Sequence, residues 1–223
     1  MARQDVAAGD GAFRSSVTGP TWSTAKSSSS APSRPQAWAR TPEAVFAVNG
    51  EVSSDAIKSA WRSEMPLRIV DCRNAGRIGA ILNRAIAASV GDVVLRFDAD
   101  NLYFPHYAER MLAWLDALGA EFVCKRGKFI HLADRDLLFA LYADEVFPAA
   151  RLGMEAGGAT FCGRRGLFER FPFDEDAVRG EDTNFVRRCI AAGARVAMVD
   201  PFDFVSVRQP QAGAHTWNVG DAE

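Results

Sequence analysis

Two aspartates stand two residues apart in the stretch Val93-Val94-Leu95-Arg96-Phe97-Asp98-Ala99-Asp100-Asn101. They directly follow an apolar run that reads as a buried strand. Carboxylates spaced i and i+2 at a strand end can share a hard divalent cation, directly or through water. Mg2+ and Mn2+ take oxygen ligands, and Mg2+ commonly uses one or two carboxylates plus substrate phosphates. The competing reading is a solvated acidic turn. A second acidic pair, Glu181-Asp182, follows Gly180 and opens a helical pattern in which Phe185, Val186 and Ile190 are the apolar positions. It reads either as a general base held at a helix start or as plain capping, since acidic residues in a first turn gain about 0.3–1 kcal/mol from the helix dipole. A third group is Arg208 with His215-Thr216-Trp217. Arginine and histidine there can close over a diphosphate, the histidine also reaching a metal, or they can belong to a solvated tail.

The elements that must position these groups alternate in type. Glu43 to Val48 is a short apolar run ending at Asn49-Gly50, and Leu67 to Val70 is another. Ser53 or Ser54 can cap a helix running to about Arg62. Ile78, Ile81, Leu82, Ala85 and Ile86 recur at helical spacing over 77–89, and Gly91 ends that helix. Residues 93–97 form the next strand, and Met111, Leu112, Trp114 and Leu115 mark a helix over 106–118. Residues 121–132 look like a hairpin or paired strand segments around Arg126-Gly127-Lys128. The segment 137–158 mixes aromatic and acidic residues, among them Tyr142, Asp144 and Glu145, which can touch a sugar if the segment packs beside an acceptor, while Tyr142 suits the core at least as well. Alternating strands and helices imply an α/β domain with a largely parallel sheet, where ligands bind beyond the carboxyl ends of the strands.

The front of the chain is different. Residues 1–16 are small and polar, and 23–36 carry a serine run with Pro32 and Pro35, a composition that disfavours a regular helix. The expected organisation is a leader and Ser/Pro-rich segment over 1–40, holding at most a degenerate strand at 16–22, and one domain over 41–223. With 223 residues and a net charge of -2, the chain is long enough for one real core, and its balance argues against bulk electrostatic coating of nucleic acid or anionic membrane. Cys72, Cys124, Cys162 and Cys189 have no zinc spacing and read as reduced, buried thiols of a cytoplasmic protein. No run is long and apolar enough for a transmembrane helix.

The order and spacing of VLRFDADN, GGATFCGRR and GEDTNFVRRCIAAGARV resemble a family 2 glycosyltransferase of the GT-A (Rossmann-like) fold, and GRIGAILNRAI is similar to that family's Gly-Lys-x-x-Ala-Leu-Asn segment, with Arg77 in place of Lys. The resemblance covers roughly residues 42–217. It implies a mixed, mostly parallel sheet flanked by helices, and a metal-dependent, inverting transferase of the hexosyltransferase class. Such an enzyme moves a sugar from a nucleotide-sugar, with UDP the expected nucleotide, to a hydroxyl of a glycan or other acceptor. The implied cofactor is Mn2+ or Mg2+. Asp98 and Asp100 then match the metal and donor motif, joined by His215. Asp182 matches the general base, with Glu181 beside it toward the acceptor. Asn74, Gly76 and Arg77 fall where the family approaches nucleotide and phosphates, and Gly157-Gly158 on the acceptor side. Arg208 is placed on the donor phosphates.

Two departures stand out. The family's opening strand ends near Pro-Thr-Tyr, and Pro20-Thr21-Trp22 is the nearest match, putting Thr21 on the donor. The next strand ends in Asn49-Gly50-Glu51, so only Glu51 offers a carboxylate to base and ribose. These departures keep a second hypothesis in view, a catalytically weakened domain that binds a glycan or a partner. A sugar-nucleotide pyrophosphorylase would need a better basic Gly-rich loop than GDGAFR at 9–14. A glycoside hydrolase also uses two carboxylates, but nothing here resembles its folds.

Overall fold

The apolar run before the aspartate pair folds as strand β4 (Val93–Asp98), and its side chains alternate between two cores. Val93 and Leu95 enter one cluster with Tyr107, Met111, Leu112 and Leu115 of helix α3 (Tyr107–Ala117). Val94 enters the other, with Leu82 and Ile86 of α2 (Ile78–Ala88) and Phe185 and Cys189 of α5 (Glu181–Ala191). The same alternation turns Arg96 and Asp98 toward the α5 side. The structure is a computed structural model that describes residues 16–21, 42–142 and 157–209.

The main sheet has the order β10-β6-β9-β4-β1-β2-β3. Its remaining strands are β1 (Ser16–Thr21), β2 (Glu43–Val48), β3 (Leu67–Asp71), β6 (Phe122–Lys125), β9 (Cys162–Arg164) and β10 (Val196–Val199). Strands β2, β3, β4, β6 and β10 point one way, while β1 and β9 run against them. The sheet is therefore mixed with most strands codirectional, and helices cover both faces, as the α/β reading expects. A smaller sheet, β5-β11-β7-β8, is formed by β5 (Leu102–Tyr103), β11 (Phe204–Arg208), β7 (Lys128–Leu132) and β8 (Leu137–Leu141). Helices α1 (Ser54–Ala60) and α4 (Arg165–Arg170) complete the α-helices of the described residues. The Ser53 hydroxyl caps α1 by accepting from the Ala56 N–H.

The α5-side core is aromatic. Phe122, Phe161, Phe168, Phe173 and Phe185 pack with ring centroids 4.8–6.2 Å apart. Each fully buried Phe contributes about 1.5–3 kcal/mol, so this cluster fixes α5 firmly on the sheet. Helix α2 is fastened by polar contacts as well. Asn83 donates to the Phe173 carbonyl and accepts from the Phe173 N–H, both at 2.9 Å.

Residues 121–132 are not a hairpin. Strand β6 pairs with β9 and β10 in the main sheet, whereas β7 pairs with β11 and β8 in the small one. All four residues of β6 are buried, which is the signature of a central strand needing partners on both sides. The hairpin that does form joins β7 to β8. All four cysteines are free and buried. Among the described residues no helix is long and apolar enough to cross a membrane.

Candidate active site

Strand β4 delivers Asp98 to its carboxyl end, and the chain turns there through Ala99, Asp100 and Asn101 into β5. Backbone contacts brace the turn: the Asn101 N–H donates to the Asp98 carbonyl at 3.3 Å, and the Asn101 side chain accepts from the Val207 N–H at 3.1 Å. Tyr103 adds a cross-brace. Its hydroxyl accepts from the Asp98 N–H and donates to the Ala159 carbonyl, each at 2.8 Å. This ties the aspartate turn to the 3-10 turn Gly158–Thr160.

Asp98 does not stand alone. The Arg96 Nε donates to its Oδ1 at 2.9 Å and Nη2 to its Oδ2 at 3.3 Å, a forked pair made possible because i and i+2 on a strand share a face. Burial pulls the Arg96 guanidinium toward losing its proton. Asp98, by charge and hydrogen bond, and then Asp182 and Glu181 more than offset this and hold it above its ordinary value.

The second acidic pair arrives on α5. Gly180 precedes the helix with φ 77°, a left-handed conformation that glycine adopts at low cost. Glu181 and Asp182 fill the first turn. Asp182 reaches back to the 3-10 turn, its Oδ2 accepting from the Gly158 N–H at 3.2 Å. At Gly158, Asp182 meets Arg96, the guanidinium that holds Asp98. A Cβ built on Gly158 would lie 2.7 Å from Arg96 Nη1 and 2.8 Å from Asp182 Oδ2. Only a residue without a side chain leaves room for that convergence.

The clustering shapes the electrostatics. Crowding by protein atoms, then the Asp98 charge, pushes the Asp100 carboxyl up. Burial, then Asp182, pushes Glu181 up. Burial pulls Arg208 down, and Asp100 and Asp98 oppose it, which places the end of β11 beside the aspartate turn. Four carboxylates against the guanidinium groups of Arg96 and Arg208 leave two negative charges in a partly enclosed space. All the acidic donors are oxygens. Among the described residues no group of three or more His, Cys, Asp and Glu could hold a metal ion by side chains alone. Two carboxylates and an excess of negative charge fit a hard divalent cation that takes its remaining ligands from phosphate and water.

The structure therefore brings together Asp98, Asp100, Glu181, Asp182 and Arg208. Asn74, Gly76 and Arg77 are exposed in the β3–α2 loop, Gly76 with φ 78°, and Glu51 is exposed after β2. Val48 is in register with Asp71, so both loops leave the carboxyl ends of parallel strands. Thr21 is not brought to this edge. Strand β1 runs antiparallel, Ser16 lying opposite Asp98 and Thr21 opposite Glu43, so Thr21 sits at the far end of the sheet. Its weakly apolar sequence did not reveal that direction. His215, Asp144 and Glu145 lie outside the described residues. Tyr142 is partly exposed beneath Arg126, whose guanidinium sits 4.0 Å from the ring centroid.

Sequence reasoning missed Arg96 and Tyr103. The signal for Arg96 was present: a charged residue inside a run otherwise fit for full burial, two residues before the aspartate pair. Tyr103 gave none, because its partners are set by the fold.

Residues 44–139 match the model of glycosyl transferase family 2. Among solved structures, S. aureus TarS 1–349 is similar in fold: 16% identity, TM-score 0.56, covering 74% of this chain and 51% of that one. The same protein in complex with UDP-GlcNAc gives 15% identity and TM-score 0.58, covering 79% and 52%, and in complex with UDP 16% and 0.57, covering 75% and 52%. This chain thus spans about half the length of those structures. No curated protein matches it. The match to the family 2 model thus spans 44–139, the stretch with the aspartate pair and the α2 segment, and the fold around it is similar to that of the TarS structures.

Proposed function

We propose that this chain is a metal-dependent, inverting glycosyltransferase that moves a sugar from a UDP-sugar to a hydroxyl acceptor in the cytoplasm. The observation that carries the reading is the link from Asp98 through Arg96 to Asp182 at Gly158, with Tyr103 tying Asp98 to the same 3-10 turn. The structures of TarS with UDP-GlcNAc and UDP support the choice of donor class.

In this reading Asp98 and Asp100 hold Mn2+ or Mg2+, with His215 as a further ligand. The bound ion supplies charge neutralisation for the departing diphosphate. Arg208 flanks the diphosphate with a fixed positive charge, which stabilises the leaving group without reorganisation during the reaction. Arg77, Asn74, Gly76 and Glu51 line the nucleotide side. Asp182 takes the proton from the acceptor hydroxyl as that oxygen attacks the anomeric carbon. The C–O bond to the acceptor forms while the bond to the diphosphate oxygen breaks, and the configuration inverts. Backbone N–H groups fix this carboxylate, Gly158 donating to Oδ2 and Thr183 to Oδ1, and each oxygen keeps a lone pair for the acceptor proton. Glu181 borders the same side.

The test is UDP binding with and without Mn2+, followed by release of UDP from a panel of UDP-sugars. Metal-dependent UDP binding that Asp98→Ala abolishes is the expected result. The displacement of Thr21 by the reversed β1 favours a second reading, a weakened domain that binds a glycan or partner. Absence of any nucleotide binding would select it.

A further inference from the structure

We propose that Arg96 is a resident cation of the carboxylate array, one that shares Asp98 with the divalent ion and so makes tight metal binding depend on the nucleotide diphosphate. The inference rests on the metal-dependent reading above and adds a residue that reading does not use.

Three observations carry it. First, Arg96 is 8% exposed, on a strand whose neighbours Val94 and Leu95 are fully packed. A guanidinium in such a place needs compensation by charge and hydrogen bonds. Second, that compensation comes from the metal-motif carboxylate itself: Nε and Nη2 fork onto the two oxygens of Asp98. Third, Nη1 is buried and has no hydrogen-bond partner among the described residues. It lies in the space that the missing side chain of Gly158 leaves, next to Asp182 Oδ2. Buried donors on charged groups are costly to leave unpaired, and such cases in native folds call for a specific cause. Arg96 engages one carboxylate and faces another. Its place is between the metal motif and the general base.

The consequence follows from charge. With no substrate bound, Arg96 keeps Asp98 in position and spares the array part of its self-repulsion. An incoming divalent ion meets that positive charge at close range, which weakens binding of the ion alone. The negative charge of a diphosphate offsets the repulsion, so metal and nucleotide bind together better than either binds separately. Arg96 is a positioning residue in this scheme and touches neither substrate nor the reacting atoms.

The probe is Mn2+, followed by the electron paramagnetic resonance signal of the free ion, with and without UDP. Arg96→Gln removes the charge and should bind Mn2+ alone about fivefold more tightly than wild type, a fold-change expected for one nearby charge in a partly solvated site. The strengthening of Mn2+ binding by UDP should shrink by the same factor. Arg96→Lys keeps the charge and should stay within about twofold of wild type. It also keeps the test open if Arg96→Gln does not fold. A residue serving only to hold the fold would weaken metal binding when replaced. Equal or weaker Mn2+ binding by folded Arg96→Gln overturns the inference, as does a fivefold change in Arg96→Lys. If wild type binds Mn2+ with UDP while Arg96→Gln gains nothing, the inference alone fails. If no form binds Mn2+ even with UDP, the metal-dependent reading fails and takes the inference with it.

Discussion

At the β4–α5 side of the sheet edge, parts of the chain distant in sequence are tied to one another. Tyr103 ties Asp98 to Ala159, Gly158 holds Asp182, and Asn101 is bonded to Val207. At the β2–β3 side the contacts are local and exposed. Asp71 pairs with Arg73 two residues on, and Asn74, Gly76, Arg77 and Glu51 face solvent. The difference matches the tasks assigned to the two sides. Proton removal and charge stabilisation need geometry fixed before the substrate arrives. A nucleotide can be gathered by an open loop that orders around it. Substitutions at the first side should therefore strike turnover, and those at the second should act mildly and locally.

The largest effect is expected from Asp182→Asn. Removing the proposed base should cut the proposed sugar transfer by about 10²–10⁴-fold, while UDP affinity in the presence of metal stays near wild type. Transfer rates and UDP titrations on the same preparation measure both. Retained transfer would remove Asp182 from its role and dissolve the contrast between the two sides.

Gly158→Ala comes next. The added carbon would collide with Arg96 Nη1 and Asp182 Oδ2, and a displacement of about 1 Å in a positioned catalytic group can cost about a hundredfold in rate. By contrast Gly76→Ala, whose Cβ would meet nothing within 4 Å, strains only an exposed left-handed turn. Comparing turnover in the two variants sharpens the distinction directly. Equal losses would show that the β3–α2 loop is as tightly defined as the Gly158 turn.

Gly79→Ala tests packing beneath the open side. Its Cβ would run into the Asp174 carbonyl group, the carbon of which lies at 2.9 Å. Overpacking of this kind costs about 1–3 kcal/mol, read as a lower midpoint in thermal or urea denaturation. An unchanged midpoint would mean that the 173–175 loop yields, and that Asn83 alone sets the approach of α2.

How much of this was readable in advance follows the same division. The aspartate pair, the acidic helix start and the α2 segment are local signals, since strand alternation, helical spacing and acidic first turns are written within a few residues of each other. Strand β2 and helix α2 fall where those signals put them. What could not be read depends on partners elsewhere. The direction of β1 is set by pairing to β2 and β4 on both flanks, and its own six residues carry little apolar bias. Strands β6 and β7 look like a hairpin because Arg126-Gly127-Lys128 makes a convincing turn, yet burial on both faces sends β6 into the main sheet. Arg96 was legible as a charge inside an apolar run, but its partners were not: the inward position is tolerated by the Asp98 fork and by Asp182 arriving from α5.

The smallest effect separates the two sides by their response to acid. On the open side, paired hydrogen bonds from Arg73 hold the Asp71 carboxyl down at about 2, below its ordinary 3.8. A depressed carboxyl adds stability that is fully present above pH 3.8 and is lost as pH falls through about 2. On the enclosed side Glu181 is raised by burial and by Asp182. Its folded form holds the proton more tightly than the unfolded chain, so its charge costs stability above the folded pKa, and that cost is relieved as pH falls toward its ordinary 4.5. Asp71→Asn should therefore lower the melting temperature slightly at pH 7, with the difference fading near pH 2. Glu181→Gln should raise it at pH 7, with the difference fading below about pH 4. Melting curves of both variants against wild type across that range measure the pair of slopes. Slopes of the same sign would show that the two sides do not differ in how the fold treats their carboxylates, and the contrast would then rest on geometry alone.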